Sequence, residues 1–375
     1  MRTLAFAALF AAVATGQTAA LRPASKIDIP LHVDGNSPST WLNGEWRYFT
    51  STGKPTTAGG EKPLEFTWKT DVAMPRSERL PAWFESVWAD DDGTLYGWYH
   101  HEPGGVCPGN SLTAPLIGAA VSNDGGRTFH DLGPILVSGD APDCDAKNGF
   151  FATGHGDFSV ILDRGREYFY FFFTSYGGAV SGQGVAVARM AFADRIDPVG
   201  RVYKFHQDAW DEPGVKGKLT PIFPATTAWQ KADTNSHWGP AVHFNTYLDQ
   251  YVVLLNKACC EPEWPQEGVY VSFSPTLKHP TGWTRPTLLL NQLPVHPGFY
   301  PQVLGMGAGE SDSRAGQVAR FFLHGHSQWE IEFRRPNESP EEEEKIEEPP
   351  TEESAPETIV EPKRSRRRPN RSTSP

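Results

Sequence analysis

The stretch 168-YFYFFF-173 sets six aromatic side chains in a row. In a strand, successive side chains point to opposite faces, so this one is apolar on both. A sheet with one wet side cannot tolerate that, whereas a sheet stacked between neighbouring sheets can. Whatever fold the chain adopts must bury strands from both sides.

Similar strand-like segments recur in sets. Residues 84–90, 94–102, 116–122 and 128–137 form the first, and 157–163, 166–175, 184–192 and a weakly marked element within 201–223 form the second. A third spans 238–245, 250–256, 268–274 and 283–291, and a partial fourth spans 300–307, 318–325 and 328–335. The remaining segments, 41–49 and 64–70, are expected to complete another sheet together with the last strands. The spacing of about 70–80 residues is longer than that of the common repeat families. The pattern predicts an all-β chain: a five-bladed β-propeller whose blades are four-stranded antiparallel sheets. A β-sandwich is the alternative that strand counting alone leaves open. Composition agrees, because 22 Phe, 12 Trp and 11 Tyr against 4 Met, with 36 Gly and 33 Pro dispersed along the chain, suit short strands and tight turns.

The chain opens with Met1-Arg2-Thr3, an apolar run from Leu4 to Ala14, and small residues to Ala20. That is the three-part layout of a secretory signal. Residues 1–20 are expected to be a leader, 21–336 the propeller, and 337–375 a charged disordered tail. The tail is rich in Glu, Pro, Ser and Thr and carries the basic cluster 363-KRSRRRPNR-371, too little apolar surface to offset its ordering entropy. The expectation is a secreted or periplasmic monomer without stable membrane insertion. A net charge of −11 argues against a nucleic-acid partner. Among the four cysteines, a Cys107–Cys144 disulfide fits loops expected on one face, while the adjacent Cys259-Cys260 pair is harder to place. The stretch 122-SNDGGRTF-129 fits the Asp-box hairpin of sialidase-type propellers, a marker of fold distant from any chemistry.

In a propeller, the residues opening the innermost strands converge on one axial funnel. This brings together Glu85, Asp157, His155, His237, Trp238, Tyr300 and Gln302. Loops on the same face add His100, His101, Glu102, Glu261 and Glu263. The segments 84-FESVW-88, 155-HGDFSVI-161 and 239-GPAVHF-244 together resemble the five-bladed glycosidases of glycoside hydrolase family 43 and its invertase-like relatives. The resemblance covers most of residues 41–335. It implies a base or nucleophile at Glu85 and, at Asp157, an aspartate that tunes the acid and orients substrate. The family's third carboxylate, an acid just before Gly-Pro, does not carry over: Trp238 stands in its place.

A glycosidic oxygen leaves poorly unless it is protonated. The substitute donor is sought at Glu261, with Glu263, Glu102 and His237 as alternatives. His155, His237, Trp238 and Gln302 are then expected to bind a carbohydrate, the Trp238 ring covering a sugar face. No cofactor is expected, although Glu85, Asp157, His155 and His237 could hold a divalent cation such as calcium. Inverting hydrolysis would need the working carboxyls roughly 6.5–9.5 Å apart. The competing reading is a propeller that binds a glycan without cutting it. Sialidase chemistry is a weaker option, because the strand starts lack arginines to clamp a sialic carboxylate.

Overall fold

A computed structural model describes residues 16–29, 31, 33–262, 264–291 and 298–338. The expected leader up to residue 15, Glu263, and all of the tail beyond Glu338 lie outside the described residues.

The described chain is all-β, and its five sheets are the blades of a propeller. The first blade is Ser39–Leu42, Glu45–Phe49, Thr56–Gly60 and Trp68–Asp71, so segments 41–49 and 64–70 do not join the last strands as expected. They form a sheet of their own because the turn at Asn43-Gly44 lets Ser39–Leu42 fold back on Glu45–Phe49; both turn residues have positive φ. The second blade is Ala82–Ala89, Leu95–His101, Leu116–Ser122 and His130–Leu136. The third runs His155–Leu162, Tyr168–Ser175, Gly184–Ala191, Val202–His206 and Ala209–Pro213, with Phe223–Pro224 against Gly184–Ala191. The fourth is Ser236–Asn245, Gln250–Ala258, Gln266–Ser274 and Thr287–Leu290, flanked by a short parallel pairing from Arg314–Ala315.

The fifth blade closes the ring. Its strands Pro301–Leu304, Val318–Leu323 and His326–Arg334 receive Thr18–Asp28 as their outermost member, antiparallel to His326–Arg334. The two ends of the described chain are thus hydrogen-bonded into one sheet. Ala19 and Leu21 pack on the core that contains Ile331 and Phe333.

The aromatic run behaves as its pattern demands. Phe169, Phe171 and Phe173 join the core shared with the second blade, through Trp98 and Ile117, while Tyr170 and Phe172 join the core shared with the fourth, through Val253 and Leu255. At the rim, the hairpin from Ser122 to Phe129 is pinned by Asp124, whose Oδ1 accepts the Arg127 and Thr128 amides at 3.1 and 2.9 Å. Gly126, at φ +87°, permits the reversal, and Phe129 is fully buried.

Apart from the short Arg314–Ala315 pairing on the fourth blade, these innermost strands have no strand neighbour on the axial side, so their free amides need other partners. Side chains of the preceding blade supply them: Glu85 Oε2 accepts Phe158 N–H at 2.6 Å, Ser86 Oγ accepts Val160 N–H at 2.8 Å, and Ser159 Oγ accepts Val242 N–H at 3.1 Å. Leu21→Asp should lower stability by about 2–3 kcal/mol, since it buries a charge at the closing seam. Arg22→Ala, which removes an exposed ion pair with Glu330, should change it by less than about 1 kcal/mol. Thermal melting of the two variants checks the contrast.

Candidate functional site

Three inner strands break register at equivalent places. One bulge falls between Phe84 and Ser86, a second between Gly156 and Phe158, and a third between Trp238 and Ala241. A bulge leaves one residue out of the ladder and re-aims its side chain, and the residues released here are Glu85, Asp157 and the pair Gly239-Pro240. Asp157 has a positive φ of 40° and Gly239 one of 54°. Asn256 bonds the third bulge through the carbonyls of Trp238 and Gly239.

Glu85 and Asp157 meet at the axis together with His100 from the second strand of its blade, with one donor atom from each residue inside a span of 4.8 Å. All three are buried. Glu85 has both oxygens engaged, Oε1 with His100 Nδ1 at 3.2 Å and Oε2 with the Phe158 amide. Burial pushes Glu85 up from the ordinary carboxylate range, against the pull of His100 and the Phe158 N–H. Burial alone would lower His100, but the Glu85 hydrogen bond and charge, with Glu102 and Asp157 behind them, lift it to about 9. The pair shares a proton, which we assign to His100 because two N–H groups already converge on the carboxylate.

Asp157 differs in kind. Burial first, and the neighbouring Glu85 charge second, raise it to about 7, while His100 and a hydrogen bond donated by Tyr176 hold it back. It lines a hollow of about 50 Å³ walled by Phe150, Phe151, Trp238, Trp264, Phe299 and Tyr300. The rings meet mostly edge to face, Trp238 lying 5.2 Å from Trp264, 5.0 Å from Phe299 and 5.8 Å from Tyr300. Trp238 is 2% exposed and its indole N–H has no hydrogen-bond partner among the described residues.

The other expected site residues are dispersed. His155 is not among the residues lining the hollow and packs at a tilt against Phe173. Its Nδ1–H donates to the Gly154 carbonyl and its Nε2 accepts from buried Lys204 at 3.0 Å. Burial and the Lys204 charge hold it well below its ordinary value. His237 packs between Phe223 and Tyr270, and burial lowers it to about 3. Strand alternation explains the split, because His237 and Trp238 are neighbours and cannot share a face. Gln302 clamps the Ser37 backbone, its amide donating to the carbonyl at 2.6 Å and accepting from the N–H at 3.3 Å. Glu261 is exposed in the bend after Cys260 and is not a member of the axial cluster. Cys107 and Cys144 are bonded, with Cα atoms 5.4 Å apart, and Cys259 is bonded to Cys260.

Asp34 escaped the sequence reading. It is exposed and accepts the Trp83 indole N–H at 3.2 Å. A Cβ on the next residue, Gly35, would lie 2.3 Å from Ser51 Oγ and 3.5 Å from Glu85 Oε1, so only glycine lets this loop approach the cluster. Burial first, and then the charges of Asp157, Asp34, Glu85 and Glu102, raise the Tyr300 phenol well above its ordinary value. The signal was Asp34-Gly35 ahead of a short strand, without an apolar run to mark it.

Two expectations change. Glu85 and Asp157 are too close to hold water in the inverting arrangement of roughly 6.5–9.5 Å. As a cation cage, the cluster offers two carboxylates and one imidazole already committed to Glu85, whereas calcium takes six to eight oxygens. The donor set therefore does not fit calcium.

No family model and no curated protein matches the chain. Solved structures similar to it include an exo-β-1,3-galactanase from Phanerochaete chrysosporium with β-1,3-galactotriose, 9% identical over 86% of this chain and 64% of that one, TM-score 0.45. The chain thus spans less than two thirds of that galactanase's length. An α-L-arabinofuranosidase from Lactobacillus brevis is 11% identical over 81% and 92%, TM-score 0.48. A thermostable family-43 glycoside hydrolase is 11% identical over 82% and 92%, TM-score 0.46. At these values the likeness says nothing about individual residues or ligands.

Asp157 predicts a pH signature. A carboxyl raised in the fold stabilises it fully below the unfolded value near 3.8, and that contribution is lost as pH rises through about 7. Melting temperature followed between pH 4 and 7 should therefore fall more steeply in the wild type than in Asp157→Asn, with Glu261→Gln following the wild type. Glu85→Ala, which strands the His100 charge and the Phe158 amide, should cost about 3–5 kcal/mol in denaturant unfolding.

Proposed function

We propose that the chain is a carbohydrate-active protein, a glycoside hydrolase-like enzyme that works at the axial funnel, with Asp157 as its proton donor. The observation that carries this reading is one buried carboxyl, raised to about 7, opening onto an aromatic-walled hollow. A general acid is most effective when its pKa lies near the working pH. Aromatic faces suit the apolar side of a sugar ring.

In this scheme the Asp157 proton passes to the glycosidic oxygen as the bond from that oxygen to the anomeric carbon breaks. Water adds to the anomeric carbon and gives its proton to Asp34, an exposed carboxylate one residue before the Gly35 that approaches Glu85. Proton exchange with solvent restores both groups. Glu85 and His100 act as positioning residues: the buried pair anchors the inner strand of the third blade and adds the negative charge that helps keep Asp157 protonated. The Cys107–Cys144 bond supports export into an oxidising compartment.

A second reading has its own observation. Trp238 fills the place of the acid in the resembling family, and the hollow is small, which favours glycan binding without cleavage. A screen of chromogenic glycosides and plant or microbial polysaccharides decides between the two. Hydrolysis that falls at least about 100-fold in Asp157→Asn, and stays within twofold in Glu261→Gln, supports the enzyme. Saturable binding without turnover supports the second reading. Turnover unchanged in Asp157→Asn removes that residue from the mechanism.

A further inference from the structure

A second cavity, of about 400 Å³, is built largely on the third blade. That size lies inside the range of roughly 300–1,000 Å³ that takes a small ligand. Two of its lining residues adjoin the axial site in the chain: His155 stands two positions before Asp157, and Gly177 directly follows Tyr176. The chemistry at Asp157 makes no use of it.

Behind its wall lies a buried cation. Lys204 is fully buried, and its Nζ donates to the carbonyls of Val137 at 3.1 Å and Gly217 at 3.0 Å, and to His155 Nε2 at 3.0 Å. Each acceptor is neutral. His155 must accept at Nε2, because its Nδ1 faces the Gly154 carbonyl, which has no proton to give and so takes the one on the ring. Burial lowers Lys204 to about 8, so the amine is still protonated in most molecules at neutral pH. A buried charge without a bonded counter-ion is costly and favours an anion nearby. His155 and Gly217, two of its partners, form part of the cavity wall.

The same wall adds two more cations. Lys216 and Lys218 line the cavity, are exposed, and form no ion pair among the described residues. The segment that carries them is pinned by its backbone. Lys216 sits at a positive φ of 63°, its N–H donates to the Val137 carbonyl at 2.9 Å, and the Lys218 N–H donates to Glu212 Oε2 at 3.0 Å. A Cβ on Gly217 would lie 2.1 Å from the Pro213 carbonyl oxygen, so a side chain there would collide. A lysine held at such a φ costs free energy that the surrounding bonds must offset. Asp140 is the one carboxylate among the lining residues, and its Oδ2 already accepts from Ser138 Oγ at 2.9 Å. Three ammonium groups thus outnumber a single wall carboxylate.

We infer that this cavity binds an oxyanion, and that the glycan handled at the axial hollow carries a carboxylate or sulfate on a neighbouring sugar. The acidic glycan rests on the carbohydrate reading above; the oxyanion site stands on the cavity alone.

Calorimetric titration tests the two parts separately. The sugar-free probe is sodium sulfate, measured against sodium chloride at equal ionic strength. The glycan probes are α-1,4-linked trigalacturonate and its neutral methyl ester. Wild type is compared with the double variant Lys216→Ala/Lys218→Ala, which leaves the buried Lys204 network in place, and with Lys69→Ala on the first blade as a control for loss of an exposed charge. Sulfate should bind the wild type saturably, and trigalacturonate at least about tenfold more tightly than its ester. In the double variant, sulfate affinity should fall at least about tenfold and the trimer preference should shrink to less than about threefold. Lys69→Ala should follow the wild type. If the double variant does not fold, as judged by melting, each single variant takes its place. Sulfate binding with no preference for the charged trimer upholds the oxyanion site and overturns the acidic carrier. Equal binding of the two trimers also leaves the carbohydrate reading intact. If neither sulfate nor trigalacturonate distinguishes the wild type from the lysine variants, the oxyanion site is overturned, whatever the neutral ester does.

Discussion

Along most of its length an inner propeller strand has a strand neighbour on one side only, so its free amides must find partners elsewhere. The second and third blades answer by lending side chains to the next: Glu85 and Ser86 to Phe158 and Val160, Ser159 to Val242. The ring is also sewn shut by Gln302 on Ser37 and by Asp312 on Ser39, the latter at 2.7 Å from the amide. Neighbouring blades are therefore coupled through directional bonds at the axis as well as by the apolar packing farther out.

The site grows from the same requirement. Glu85 lies at a bulge, so its side chain is free to leave the ladder, cross to the third blade and accept an amide there. Once that carboxylate is buried, it draws a proton onto His100 and repels charge from Asp157. A structural need thus creates the electrostatic contrast that chemistry can use: a carboxylate paired with His100 beside one that only the Tyr176 hydroxyl engages, raised to about 7. Trp238 completes the contrast by adding a buried apolar wall beside Asp157.

The fold was largely legible because its signal is local and repeated. The double-sided aromatic run, the alternating strands and the glycine-marked turns each demand burial between sheets, and together they point to blades. The pairing of Thr18–Asp28 with the end of the chain was hidden, since long-range pairing leaves no mark in a single segment. The first blade was hidden too, because its four strands are only four or five residues long. Of the site, Glu85, Asp157 and Trp238 were visible as breaks at strand openings. His155 and His237 had the right position but the wrong parity, and bulges are what decide parity near a rim. Asp34, Tyr176 and Trp264 come from loops or strand ends whose course depends on packing.

The outer strand of the fifth blade has a bearing on how the molecule is made. Thr18–Asp28 emerges early in synthesis, yet its partner, His326–Arg334, arrives some three hundred residues later. Until then it is an orphan edge on a growing chain, open to pairing with the wrong neighbour. Ring closure must therefore be a late event in folding, governed by loop-closure entropy across nearly the whole propeller, and a chain truncated anywhere before its final strand would have nothing to fasten to.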